Sequence, residues 1–248
     1  AYIHSKRFKT NLENIKKHLG NKRLMLVVKA NAYGLGIKTI SNTLYNAGCR
    51  YFFVSDLNEG ISLREILTTP NIIIYVLNGL MPHTVEYYEE YNLTPVIGSM
   101  EELNEYNDYV QQKEQFPIAI HFDTGFSRLG FDKEMAVQIS KYKLDINLIM
   151  SHLASAEEKL SEMPENQLNQ FIEICKSFKK QKPLVKLNKV SISFGKRQIL
   201  DDRVVIHAMD SSLRQYCKQH SKTRITVPKV FQSEGERLGS YFIVNENS

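Results

Sequence analysis

Six short apolar runs recur along the first two thirds of the chain, at residues 24–28, 51–54, 72–77, 94–97, 118–122 and 146–150. They are rich in Val, Ile and Phe, as strands buried on both faces should be. Helical spacing fills the intervals. Ile37, Ile40, Leu44 and Ala47 fall three and four residues apart, as do Met135, Ile139 and Tyr142. Leu168, Phe171, Ile172, Cys175 and Phe178 continue the pattern. The repeat is about 25 residues, the size of one strand–helix unit. Six such units in succession predict an α/β fold with a parallel sheet, open or closed into a barrel.

The rhythm changes after Lys182. A seventh strand is expected over 190–194 and an eighth over 204–207. The link between them, 195–203, is too short for a crossover helix, since parallel neighbours need a dozen or more residues to connect. The barrel is therefore expected to be irregular after its sixth strand. No clear period follows, and residues 221–248 are expected to be partly disordered.

Charge divides the chain at about the same place. Residues 1–180 carry 20 Lys+Arg against 21 Asp+Glu, and residues 181–248 carry 12 against 6. The basic tail shows neither zinc-finger spacing nor basic residues interleaved with aromatics, which argues against a nucleic-acid partner. No stretch is long and apolar enough to span a membrane. The first residues lack the apolar core of a signal peptide. Cys49, Cys175 and Cys217 are odd in number and far apart, so a disulfide framework or a metal site is not expected and a cytoplasmic location is.

The sharpest local feature is LMLVVKANAYGLG at residues 24–36. An apolar strand ends in Lys29, and small and turn residues follow at once. Barrel active sites lie at the C-terminal ends of strands. Low dielectric disfavours an ammonium, so a lysine held there can attack an aldehyde as a Schiff-base nucleophile. On spacing alone, Lys29 reads more readily as a strand-end lysine that reaches water, a common arrangement.

VVKANAYGLG resembles the pyridoxal-phosphate lysine motif of the alanine racemases, fold-type III enzymes. HFDTGFSRLG at 121–130 and MSHLASAEE at 150–158 resemble two further motifs of that family, in the family's order. The resemblance runs from residue 1 to about 180. It implies a (β/α)8 TIM-like barrel, a pyridoxal 5'-phosphate cofactor and interconversion of L- and D-alanine. It implies that Lys29 holds the cofactor and serves as one of two acid/base groups. It further implies that Tyr33 bonds the phosphate, that Arg128 lies near the phenolic oxygen and the substrate carboxylate, and that His152 packs against the pyridine ring. Taken singly, Tyr33 could be a surface tyrosine, Arg128 a partner of Asp123 or Asp132, and His152 a satisfied core histidine.

Two departures stand out. His121 replaces a lysine that is frequent in the family, and Leu35 replaces a frequent histidine. Beyond residue 180 the family's phosphate loop, its pyridine-contacting arginine and its C-terminal β domain with a catalytic tyrosine are not found. Residues 182–200 instead resemble the opening strands of an ABC-transporter ATPase, without the G-x-x-x-x-G-K-[ST] loop that ATP hydrolysis requires. The expectation is a racemase-like barrel over residues 1–180 with a divergent basic segment over 181–248. Its racemisation would be weak, and a homodimer is one possible assembly. The alternatives are a non-catalytic pyridoxal-phosphate-binding barrel and a degenerate fragment.

Overall fold

The computed structural model describes residues 12–13, 22–111, 113–154 and 162–178, together with the backbone of four short strands beyond them. The strands of the repeat are β1 (Lys22–Val27), β2 (Tyr51–Val54), β3 (Ile73–Val76), β4 (Thr94–Ile97), β5 (Ile118–His121) and β6 (Ile146–His152). The helices between and after them are α1 (Ile37–Asn46), α2 (Leu57–Ile66), α3 (Val85–Glu90), α4 (Met100–Val110), α5 (Met135–Ile139) and α6 (Met163–Ser177). Each of the six expected apolar runs forms a strand. From β1 to β6 every neighbour pairs in parallel.

β4, β5 and β6 are buried at every position. This explains why they read as unbroken apolar runs: helices cover one face and the sheet's own concave side packs the other. Phe53 and Tyr75 stack across β2 and β3 with ring centroids 4.6 Å apart. Helix starts follow local chemistry. Asp56 caps α2 by accepting from Glu59 N, and Ser99 caps α4 by accepting from Glu102 N. Arg64, in the last turn of α2, donates to the carbonyls of Thr69, Ile72, Tyr91 and Asn92 and ties two loops together.

The C-terminal segment differs from the expectation. Residues Ser193–Phe194 (β7) pair antiparallel with Arg197–Gln198 (β8) as a small hairpin outside the main sheet. Residues 190–192 of the expected seventh strand lie outside the described residues. The link from β7 to β8 is two residues long, and so short a link permits only antiparallel pairing. Val204–His207 (β9), expected as the eighth strand, lies parallel to β6 and takes the seventh place. Tyr241–Asn245 (β10), within the stretch expected to be partly disordered, pairs antiparallel with β1. An apolar run too short to show a period finds the open edge of β1, whose unpaired backbone groups template a strand. The sheet order is thus β10-β1-β2-β3-β4-β5-β6-β9. Its two edge strands approach each other, so the sheet curls into a partial barrel.

Cys49 and Cys175 are buried, and Cys217 lies outside the described residues. Among the described residues no helix is long and apolar enough to cross a membrane, and no cluster of His, Cys, Asp or Glu could hold a metal ion.

Candidate active site

Parallel pairing brings the C-terminal ends of β1 to β6 to one end of the sheet. All four residues singled out from the sequence lie there, in two groups.

The first group follows β1. Val28 N still donates to Phe53 O at 2.8 Å, so strand pairing lasts to the residue before Lys29. Lys29 is half-buried. The chain then turns the wrong way round for L-residues. Ala30, Asn31, Ala32 and Tyr33 all have positive φ, between 51° and 55°. Four left-handed residues without a glycine cost about 1–2 kcal/mol each. Such strain persists only where the surroundings over-determine it, and it gathers at functional sites.

The surroundings here are explicit. Ala32 N donates to Val28 O, Gly34 N to Ala30 O and Gly36 N to Asn31 O, all within 3.0 Å. Asn31 Oδ1 accepts from Ile37 N at 2.8 Å and so caps α1. Glu59, on α2, accepts from Ala30 N at 2.5 Å. Tyr33 is the last residue of the left-handed turn before Gly34 and is half-buried.

The second group lies at the ends of β5 and β6. After His121 the chain makes a loop that closes on itself: Phe131 N donates to His121 O at 2.8 Å and Asp123 N to Phe131 O at 2.9 Å. Asp123 Oδ1 accepts from the amides of Gly125 and Phe126, both at 2.8 Å, and fixes the first turn. Ser127 takes a left-handed φ of 57°, which brings Arg128 back over the loop. The Arg128 guanidinium sits over the Phe126 ring, 4.5 Å from its centroid. His152 also neighbours that ring, at a centroid distance of 4.5 Å. Among the described residues neither Asp123 nor Asp132 forms an ion pair with Arg128. Phe126 therefore joins Arg128 to His152, a contact the sequence did not announce although Phe126 stands inside the 121–130 motif.

His152 is buried, and its carbonyl accepts from Gln167 Nε2 at 3.0 Å. Gln167 Oε1 also accepts from Ala154 N at 2.9 Å. Thr124 Oγ1 and Ser151 Oγ share a hydrogen bond of 2.7 Å and tie the loop to β6. Gln167 was missed as well; it lies in α6 at only 1% exposure. A glutamine that deep beside apolar positions at helical spacing is a signal of buried polar work. His121 is also buried, and burial pushes its pKa down to about 4; Asp123 opposes this and Arg128 reinforces it. The imidazole is thus neutral at physiological pH.

Residues 3–198 match the family model described as the N-terminal domain of alanine racemase. The chain belongs to the alanine racemase family. The biosynthetic alanine racemase of Agrobacterium fabrum is 37% identical over 173 residues, covering 68% of this chain and 44% of that protein. The alanine racemase of Rickettsia bellii is 38% identical over 150 residues, covering 58% and 36%. Among solved structures, the alanine racemase of Bartonella henselae with covalently bound pyridoxal phosphate is similar at a TM-score of 0.66 and 32% identity. That similarity covers 74% of this chain and 52% of the Bartonella chain. The chain spans less than half the length of the two curated relatives and about half of the solved one. A histidine racemase from Leuconostoc mesenteroides shares the fold, with a TM-score of 0.61 at 22% identity. The match to the family model runs past residue 180, the limit of the sequence resemblance, and takes in the β7–β8 hairpin.

Proposed function

We propose that this chain binds pyridoxal phosphate through Lys29 and acts at the α-carbon of a small amino acid, with alanine the first candidate. The observation that carries the reading is Lys29 at a parallel strand end, followed by four left-handed residues that the surrounding fold holds in place. The proposed division is a cofactor-binding barrel over residues 1–180 and a divergent basic segment over 181–248 that completes the sheet irregularly.

The donor set fits the group. Lys29 offers a primary amine to an aldehyde, and Tyr33 offers a phenol to a phosphate. Arg128 offers a guanidinium to a phenolic oxygen or a carboxylate, and His152 an imidazole face to a pyridine ring. When bound, pyridoxal phosphate supplies an electron sink that makes the Cα–H of an attached amino acid acidic. Lys29 then takes or returns the proton on the face it reaches. Arg128, held over Phe126, orients the substrate carboxylate. The Phe126–His152 pair gives the cofactor ring a rigid wall. His121, neutral and buried, adds no charge to that wall.

Racemisation also requires an acid/base group on the opposite face. By resemblance, the family draws it from a C-terminal domain, and this chain spans only part of its relatives. Exchange of the α-proton reports the Lys29 face alone, whereas inversion needs an acid/base group on both faces.

Borohydride reduction of the pyridoxal-phosphate-treated protein, followed by peptide mapping, should place the label on Lys29, and Lys29→Ala should abolish the imine absorbance. A label on another lysine would overturn the assignment. Deuterium exchange into alanine, compared with the change in optical rotation, then measures the two outcomes. Binding without exchange favours the non-catalytic reading, and racemisation at a full-length family member's rate would place a second base within this chain.

A further inference from the structure

Two helices of the barrel begin with the same device. In α2, Glu59 N is capped by Asp56, and the Glu59 carboxylate turns back so that Oε2 accepts from Ser55 N at 2.8 Å. In α4, Glu102 N is capped by Ser99, and Oε2 of Glu102 accepts from Gly98 N at 2.7 Å. In both, the carboxylate also reaches the loop of the preceding strand. Glu59 Oε1 accepts from Ala30 N, 29 residues away, at 2.5 Å. Glu102 accepts from the Leu80 backbone and fills the space beside Gly79, where a Cβ would meet its Oε1. One carboxylate thus ties the β1 loop to the β2 loop, and the other ties the β3 loop to the β4 loop.

A helix cap explains only half of each arrangement. Asp56 and Ser99 already satisfy the helix starts. The long reach is extra, and for Glu59 it ends on the amide that follows Lys29. That amide opens the left-handed run, just past the last strand pairing of β1. Holding it fixes the plane of the Lys29–Ala30 peptide and hence the direction of the lysine's Cα–Cβ bond. We infer that Glu59 is a positioning residue for Lys29, its carboxylate setting the direction in which the lysine amine is presented. The inference rests on the reading of Lys29 as the cofactor lysine.

Glu59→Gln tests it, with Glu102→Gln as the control. Each replaces one carboxylate oxygen by an NH₂ group, which cannot accept from an amide. Both alter a helix start, but only the first touches the Lys29 peptide. Three readouts are taken: hydrogen exchange at the Ala30 amide, trace acetylation of Lys29 by acetic anhydride, and the rate of pyridoxal-phosphate capture on Lys29 under borohydride. In Glu59→Gln, Ala30 exchange should rise about tenfold or more, the scale of a lost bond to a charged acceptor. Acetylation of Lys29 should rise, and its capture rate should fall about tenfold. Glu102→Gln should match the unmodified protein in all three. Equal changes in the two variants, or none in either, would reduce Glu59 to a helix cap and overturn the inference. Should Glu59→Gln not fold, Glu59→Asp keeps the charge but is too short to span both amides, and the same directions are expected. If the unmodified protein takes no pyridoxal phosphate on Lys29, the functional proposal falls, while exchange and acetylation still decide the role of Glu59.

Discussion

Gly130 closes the loop that carries Arg128, and replacing it with alanine should be the most damaging single-methyl change in the second group of site residues. Its φ is +114°. A Cβ built there lies 2.6 Å from Asp123 N, 2.8 Å from the Phe122 carbonyl carbon and 3.1 Å from His121 O. These are backbone atoms, and the Phe131–His121 and Asp123–Phe131 hydrogen bonds pin them. Gly125, in the same loop, supplies an internal reference. Its φ is +119°, but the nearest atom to a Cβ there is Gln167 Cγ at 3.7 Å. Both alanines carry conformational strain of about 1–3 kcal/mol. Only Gly130→Ala adds a clash, worth about 1–3 kcal/mol by analogy with overpacked cores. Relief of that clash would loosen two hydrogen bonds of about 0.5–1.5 kcal/mol each. Gly130→Ala should therefore be less stable than Gly125→Ala by about 2–4 kcal/mol, the sum of the clash and part of the bond loss.

Urea denaturation followed by circular dichroism measures the difference. The midpoint should fall further for Gly130→Ala with the slope unchanged. Because the loop also holds Arg128 over Phe126, pyridoxal-phosphate capture on Lys29 should be slower in Gly130→Ala than in Gly125→Ala even at denaturant-free stability. Equal midpoints for the two alanines would refute the reasoning, since they share the φ penalty and differ only in the clash.

Asn31→Ala removes both the cap on Ile37 N and a residue type that tolerates left-handed backbone, and should cost about 1 kcal/mol in the same melts. Gln167→Met leaves Ala154 N and His152 O without their side-chain partner and should destabilise by about 2–4 kcal/mol, whereas a loss under 0.5 kcal/mol would mean that water or a shifted loop replaces the amide. His121, pushed down to about 4 from an ordinary 6.5, binds its proton more weakly folded than unfolded. Its contribution is complete above pH 6.5 and is lost as pH falls from 6.5 toward 4, by about 3 kcal/mol in all. His121→Gln should flatten that part of the stability profile, and an imidazole titration midpoint near 6.5 by nuclear magnetic resonance would contradict the burial argument.

What the sequence disclosed follows from what local pattern can encode. The six parallel strands were legible because strands covered on both faces need continuous apolar runs, and helices between them need apolar residues three and four apart. Lys29 stands in a motif whose residues are neighbours in the chain, so its place at a strand end was legible too. The Arg128–Phe126–His152 contact was not. It joins the loop after β5 to the end of β6, and no spacing rule links residues 126 and 152. Glu59 was hidden for the same reason, since its amide partner at Ala30 is 29 residues distant. β10 escaped because a single apolar run carries no period, and the open edge of β1 that recruits it exists only once the sheet has formed.

The left-handed turn was hidden by a different conflict. Ala-Asn-Ala-Tyr ranks among ordinary or good helix formers, and local propensity favours a right-handed turn there. Glycine is the easy residue at positive φ, and the chain uses it at Gly34 and Gly36 directly afterwards. At residues 30–33 it does not, because side chains are needed: Asn31 caps α1, Ala32 is buried in the core, and Tyr33 stands one helical turn from Lys29. Four such residues together cost about 4–8 kcal/mol, a large share of a domain's net stability. The fold offsets that cost with backbone bonds to Val28, Ala30 and Asn31 and with the reach of Glu59. Agreement between local and global preference is what makes most of a sequence foldable, and a sustained conflict marks the place where something other than stability is being served. In this chain the conflict begins at the residue after Lys29, so the strained turn and the candidate nucleophile point, by separate arguments, to the same end of the barrel.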